Sequence, residues 1–97
     1  MIVNVKLFAT LRSYGPTDVD LGESFAISLD KGAVVAGLLH KLKIPKKETK
    51  IIMINGKNSE LDDKLSERDI IAIFPPIGGG YSLYLYLDLL LLEVLKT

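Results

Sequence analysis

Among the segments before the glycine run, hydrophobic periodicity turns clearly helical at one place, and that limits the folds open to the chain. In "IVNVKLFATL", Val3, Val5 and Leu7 alternate with Asn4 and Lys6, the period-two pattern of a half-buried strand. "SFAISLD" alternates again through Phe25, Ile27 and Leu29 and ends at the turn Asp30-Lys31-Gly32. Between them "SYGPTDVDLGES" has the Gly, Pro, Asp and Ser content of a loop. This spacing predicts an antiparallel pair around a long loop. From Val34 the period becomes helical: Val34/Val35, Leu38/Leu39 and Leu42 recur on one face, and Pro45 stops the run. Strand-like segments then return. "KIIMING" is closed by Asn55-Gly56, a pair that tolerates positive φ, and Asp69 to Phe74 is closed by two prolines that cannot donate to a ladder. The stretch around Leu61 and Leu65 is expected to add a short strand and a helical turn. One helix among several strands predicts an α+β domain with the helix laid across one face of the sheet.

The composition narrows the chemistry. The chain has 97 residues, enough for one small domain with a single modest core. It has no cysteine and one histidine, which removes disulfides, thiolate metal sites and cysteine nucleophiles. Twelve basic and twelve acidic residues cancel, which argues against nucleic acid as a partner. No basic-then-apolar leader opens the chain, so a cytoplasmic protein is expected. His40, in "GLLHKLK", reads as a half-exposed helix residue and not as a catalytic one. Neither metal nor cofactor is expected to be bound, and no independent active site is evident.

Three patches carry a resemblance: "VKLFATLR" at the start, "INGK" in the middle and "LSERDIIAIFPPIGGG" from Leu65 to Gly80. Together they resemble the ubiquitin-like β-grasp sulfur carriers of the MoaD/ThiS family. "FPP" followed by a hydrophobic residue and glycines is nearer to the MoaD pattern, that of the small subunit of molybdopterin synthase. The resemblance covers residues 1–80 and implies a mixed sheet with one main helix across it. It also implies that the terminal glycine of the tail, here Gly80, is adenylated by an ATP-using partner resembling the ubiquitin-activating enzymes. The glycine would then become a thiocarboxylate that serves the large synthase subunit in molybdenum cofactor biosynthesis. Contacts with partners are expected at the carboxyl end, through Phe8, Phe74, Pro75, Pro76, Ile77, Gly78 and Gly79. Phe8 and Phe74 equally suit the core.

Glycine at the working end has a physical reason. Residues without a Cβ can thread a narrow passage and approach another backbone closely. From Ile77 to Gly80 an extended chain reaches at most roughly 13–14 Å. Pro75 and Pro76 stiffen the exit and reduce the entropy lost on threading.

The chain does not stop at Gly80. "YSLYLYLDLLLLEVLKT" follows as a second segment, 81–97, and a glycine in peptide linkage has no carboxylate to activate. Proteolytic removal of the segment would restore the family's end and calls for a processing protease. A retained segment could instead pair with the sheet or a partner: Leu83, Leu85, Leu87 and Leu89 alternate with Tyr84, Tyr86 and Asp88 before a helix-like stretch. As a membrane span it falls short of the ~20 apolar residues required and is interrupted by Asp88 and Glu93. An accidental gene end is a fourth explanation. The function expected of the chain is therefore sulfur carriage on Gly80 after loss of 81–97. The alternative is a ubiquitin-like modifier, or a binding module that docks through the extension. The basic group Lys41, Lys43, Lys46, Lys47 and Lys50 and the acids Glu60, Asp62 and Asp63 read as solvated surface.

Overall fold

The computed structural model describes residues 1–20 and 22–76. Five strands form one mixed sheet: β1 (Ile2–Leu7), β2 (Phe25–Ser28), β3 (Ile51–Ile54), β4 (Lys57–Asn58) and β5 (Ile70–Phe74), in the order β2-β1-β5-β3-β4. β1 pairs antiparallel with β2, as its alternation predicts, with Val3 opposite Ile27. The pairing that organises the sheet is parallel: β5 returns to lie beside β1, with Asn4 opposite Ile70 and Leu7 opposite Ile73. β3 then adds antiparallel to β5, Ile51 opposite Phe74.

Among the described residues one α-helix, α1 (Val35–Leu42), lies across one face. Its Val35, Leu38 and Leu39 are buried with Val3, Val5 and Leu7 of β1, Ile71 and Ile73 of β5 and Ile52 of β3. Each such side chain withdrawn from water contributes about 1.5–3 kcal/mol before the entropy of ordering is set against it. Val34, at the N-cap, has no side chain able to accept a hydrogen bond. The orphan donors of the first turn go instead to another loop: Val35 N–H donates to the Asp63 carbonyl (3.0 Å) and Ala36 N–H to that of Leu61 (2.9 Å). The helix stops at Leu42, before Pro45 can act. Lys43 turns left-handed (φ 62°, ψ 32°), and its N–H closes on the carbonyls of Leu39 and His40.

Several expected boundaries need correction. β1 ends at Leu7 and does not run on to Leu11, because Ala9 takes a positive φ of 53° and the chain winds into a 3-10 helix, Ala9–Tyr14. Leu11 is still buried, but from that helix. The stretch around Leu61 and Leu65 forms neither the strand nor the helical turn expected of it. The short strand is β4, closed by the turn at Asn55-Gly56, where both residues have positive φ. Residues 61–65 cap the helix instead, with one bridge between Val34 and Lys64 and the Leu65 N–H donating to the Ala33 carbonyl. His40 is exposed, and Lys41 reaches from the helix to donate to the Ser28 carbonyl of β2. Among the described residues no helix is long and apolar enough to cross a membrane.

Candidate functional site

The two ends of β5 are built for different tasks. At its start, Asp69 is the centre of a hydrogen-bonded corner. Its Oδ2 accepts from the Ser66 N–H at 2.7 Å and its Oδ1 from the Asn55 amide at 2.9 Å. Its carbonyl accepts from Asn4 N–H at 2.8 Å. Asn55 completes the corner by accepting from Ile70 N–H through Oδ1 at 2.9 Å. Glu67 accepts from Ile2 N–H at 2.8 Å, and Arg68, at a φ of 66°, donates its N–H to the Ile2 carbonyl at 2.7 Å. The "INGK" and "SERD" patches, apart in sequence, thus meet here to register β3, β5 and β1. Their role is structural.

At its other end the strand releases the chain from the sheet. Phe74 is the last ladder residue: its carbonyl accepts from Lys50 N–H at 2.8 Å, and the Ile73 carbonyl accepts from Phe8 N–H at 3.3 Å. Pro75 and Pro76 then remove two donors in succession and end the pairing. Pro75 is buried and Pro76 exposed, so the chain leaves the body between these two residues.

Of the residues expected to meet partners, the fold brings Phe8 and Phe74 together as stacked rings, 4.4 Å between centroids and 6° between planes. Both are buried, on the face of the sheet opposite α1, in a cluster with Met53 and Ala72 and with Ile51 beside it. Pro75 adjoins them in sequence. Ile77, Gly78, Gly79 and Gly80 lie outside the described residues. Met53, Ala72 and Ile51 were not anticipated as neighbours of this end. Their signal was present in the runs "IIMI" and "IIAIF", which are apolar at every position and so point to burial on both faces.

Away from this end, Tyr14 donates its hydroxyl to Glu48 Oε2 at 2.7 Å. That hydrogen bond first, then burial and the Glu48 charge, hold the Tyr14 phenol above its ordinary pKa. Asp63, one of the acids near the helix start, accepts from Glu60 N–H at 2.8 Å within its own turn. Among the described residues no group of three or more His, Cys, Asp or Glu is placed to hold a metal ion.

The family model described as ThiS matches residues 5–80. No curated protein matches the sequence significantly. Solved structures share the fold. A Pyrococcus furiosus protein described as molybdopterin converting factor subunit 1 aligns with a TM-score of 0.59 and 26% identity, over 78% of this chain and 98% of its own. Small archaeal modifier protein 1 of Haloferax volcanii aligns at 0.60 and 21%, over 78% and 98%. A second Haloferax volcanii protein, HVO 2177, aligns at 0.63 and 21%, over 82% and 87%. The last two identities establish likeness of fold, the ubiquitin-like β-grasp with five strands and one main helix.

Proposed function

Because this chain belongs to the ThiS family of ubiquitin-like sulfur carriers, we propose that it carries sulfur as a thiocarboxylate on Gly80 once residues 81–97 are removed. The observation that carries this reading is the extent of the family match, which runs through Gly80 and stops there, immediately before the apolar segment.

The chemistry follows in three balanced steps. A protease hydrolyses the Gly80–Tyr81 peptide bond and frees a carboxylate. An activating enzyme transfers AMP from ATP to that carboxylate, releasing pyrophosphate. A sulfide-equivalent donor then displaces AMP and leaves the thiocarboxylate. None of these steps asks for a catalytic side chain from this protein. Its part is presentation: a rigid sheet launches Pro75-Pro76, and after Ile77 come three residues without side chains, Gly78, Gly79 and Gly80. Likeness to the Pyrococcus furiosus protein described as a molybdopterin converting factor subunit supports a molybdopterin synthase large subunit as the acceptor, in molybdenum cofactor biosynthesis. The carrier works in the cytoplasm in this reading, with ATP bound by its partner.

Intact mass spectrometry of the untagged protein, purified from its own host, tests the reading. A species ending at Gly80, with a fraction heavier by one oxygen-to-sulfur exchange, is the expected result. A single species ending at Thr97 overturns it, and Gly80 found in isopeptide linkage to other proteins would make the chain a modifier.

A further inference from the structure

Asn55-Gly56 forms the turn between β3 and β4, and it is the one Asn-Gly pair in the chain. Such a pair has a reaction of its own. The backbone nitrogen of the residue after an asparagine attacks the asparagine Cγ, and glycine, without a Cβ, hinders that attack least. A five-membered succinimide forms as the Cγ–Nδ2 bond breaks and the amide nitrogen leaves as ammonia. Water then opens the ring at one of its two carbonyls. The product is aspartate, or an isoaspartate whose main chain runs through Cβ and Cγ. One water is consumed and one ammonia released, with no catalyst or further reactant required. Asparagine is for this reason a thermolabile residue.

The fold holds the reacting group at both of its polar atoms. Nδ2, the leaving nitrogen, donates to Asp69 Oδ1 at 2.9 Å, and Oδ1 accepts from the Ile70 N–H at 2.9 Å. The main chain of the same residue is fixed as well, its N–H donating to the Ile70 carbonyl at 2.8 Å. Both side-chain partners lie at the start of β5, whereas the attacking nitrogen belongs to the turn leading into β4. For Cγ to become tetrahedral, the planar carboxamide must give up the geometry in which these two bonds are made. Asn55 is exposed, so water reaches it. Its restraint is hydrogen bonding and not burial.

We infer that Asn55 is a deamidation site which the native corner keeps unreacted, and whose conversion loosens that corner irreversibly. Neither product restores the contact. In aspartate the donor to Asp69 is replaced by an oxygen, and two carboxylates face each other at a place built for an amide. Isoaspartate adds a methylene to the main chain of the turn that pairs Ile54 with Lys57. The disturbance does not stay at β3 and β5. Asp69 also accepts from the Ser66 N–H at 2.7 Å, and its carbonyl takes the Asn4 N–H of β1 at 2.8 Å.

Reaction and stability are thereby coupled in one direction. The carboxamide reacts while the corner is open, so conversion accumulates with the time spent open. Each conversion lowers the stability of the molecule that has undergone it, and no step returns it. The chain thus keeps a record of its own excursions from the native state. That record is written at the end of β5 opposite Pro75-Pro76 and does not depend on what Gly80 carries.

Mass spectrometry of the full-length chain and its peptides tests this. In mildly alkaline buffer with enough urea to unfold it, the chain should gain mass by exchange of NH for O. Asn55 should convert before Asn4 and Asn58, the other two asparagines, and there is no glutamine to complicate the assignment. In the same buffer without urea, conversion at Asn55 should be slower by roughly tenfold or more. Equal rates overturn the inference, because the corner would then give no protection. Conversion led by Asn4 or Asn58 in urea overturns it too. The product supplies a second measurement that needs no variant. Converted chain, separated by its added negative charge and returned to native buffer, should have an unfolded fraction at least about tenfold that of the parent, or fail to refold. A converted chain as stable as the parent overturns the inference.

Discussion

Phe8 and Phe74 lie ring against ring, 4.4 Å between centroids and 6° from parallel, joining the residue that follows the first strand to the last residue of β5. At that centroid distance near-parallel rings are laterally offset, the arrangement their quadrupoles prefer. Phe74→Ala removes a fully buried ring and is expected to cost about 3–5 kcal/mol. A double-mutant cycle of Phe8→Ala and Phe74→Ala, read by denaturant unfolding, should show a coupling of about 0.5–1.5 kcal/mol. Coupling near zero would mean that the rings are neighbours without mutual stabilisation.

Gly80→Ala should separate function from folding. A methyl group at the residue proposed to be activated obstructs close backbone approach, so the fraction of protein bearing sulfur, read as intact mass from the native host, should fall by at least an order of magnitude. The melting temperature of the purified protein should stay that of the parent. A loss of stability equal to the loss of sulfur would count against a role confined to the tail.

The bond from Tyr14 to Glu48 sets an alkaline limit of its own. The folded state favours the neutral phenol, so the stabilisation is fully present below the unfolded pKa of about 10. It is lost as pH rises through the higher folded value, where a phenolate would face the Glu48 carboxylate. Tyr14→Phe should therefore melt below the parent at neutral pH, with the gap closing at alkaline pH. A gap that is constant across that range would show that the hydrogen bond does not couple to ionisation.

Two residues with positive φ should respond in opposite directions to glycine. Lys43 caps α1 at φ 62° with an exposed side chain, so Lys43→Gly relieves left-handed strain and should stabilise by about 0.5–1 kcal/mol. Asn55, at φ 52°, uses its side chain to hold Asp69 and Ile70. Asn55→Gly loses both hydrogen bonds and should destabilise by about 1–2 kcal/mol. Thermal unfolding of the two variants in parallel distinguishes strain from lost bonding.

The elements defined by local pattern were legible in the sequence. Val3, Val5 and Leu7, then Phe25, Ile27 and Leu29, alternate as written, and Val35, Leu38 and Leu39 form the inward stripe of α1. What sequence spacing could not express was long-range satisfaction. The backbone of Asp63 and Leu61 caps a helix that begins with Val34, and nothing in "LDDKL" announces that duty. Ala9 at positive φ likewise defeats a strand pattern that looks continuous through Leu11, because the winding of Ala9–Tyr14 buries Leu11 by another route. At the candidate site, Phe8 and Phe74 could each be named from sequence as a partner contact or as core, but their stacking on one another could not. Their companions Met53 and Ala72 were not legible, because an apolar run does not state which face each residue takes until the register of β3 against β5 is known.

The parallel pairing of β1 with β5 also has a mechanical consequence. The chain enters β1 at one edge of the molecule and leaves β5 at the opposite edge, so traction on the two ends pulls these central strands past each other lengthwise. Every rung from Asn4–Ile70 to Leu7–Ile73 is then strained simultaneously and none can give way first. A machine that grips the protein beyond Pro76 and hauls must break the whole seam in one event, whereas β2 and β4, at the margins, would peel away rung by rung.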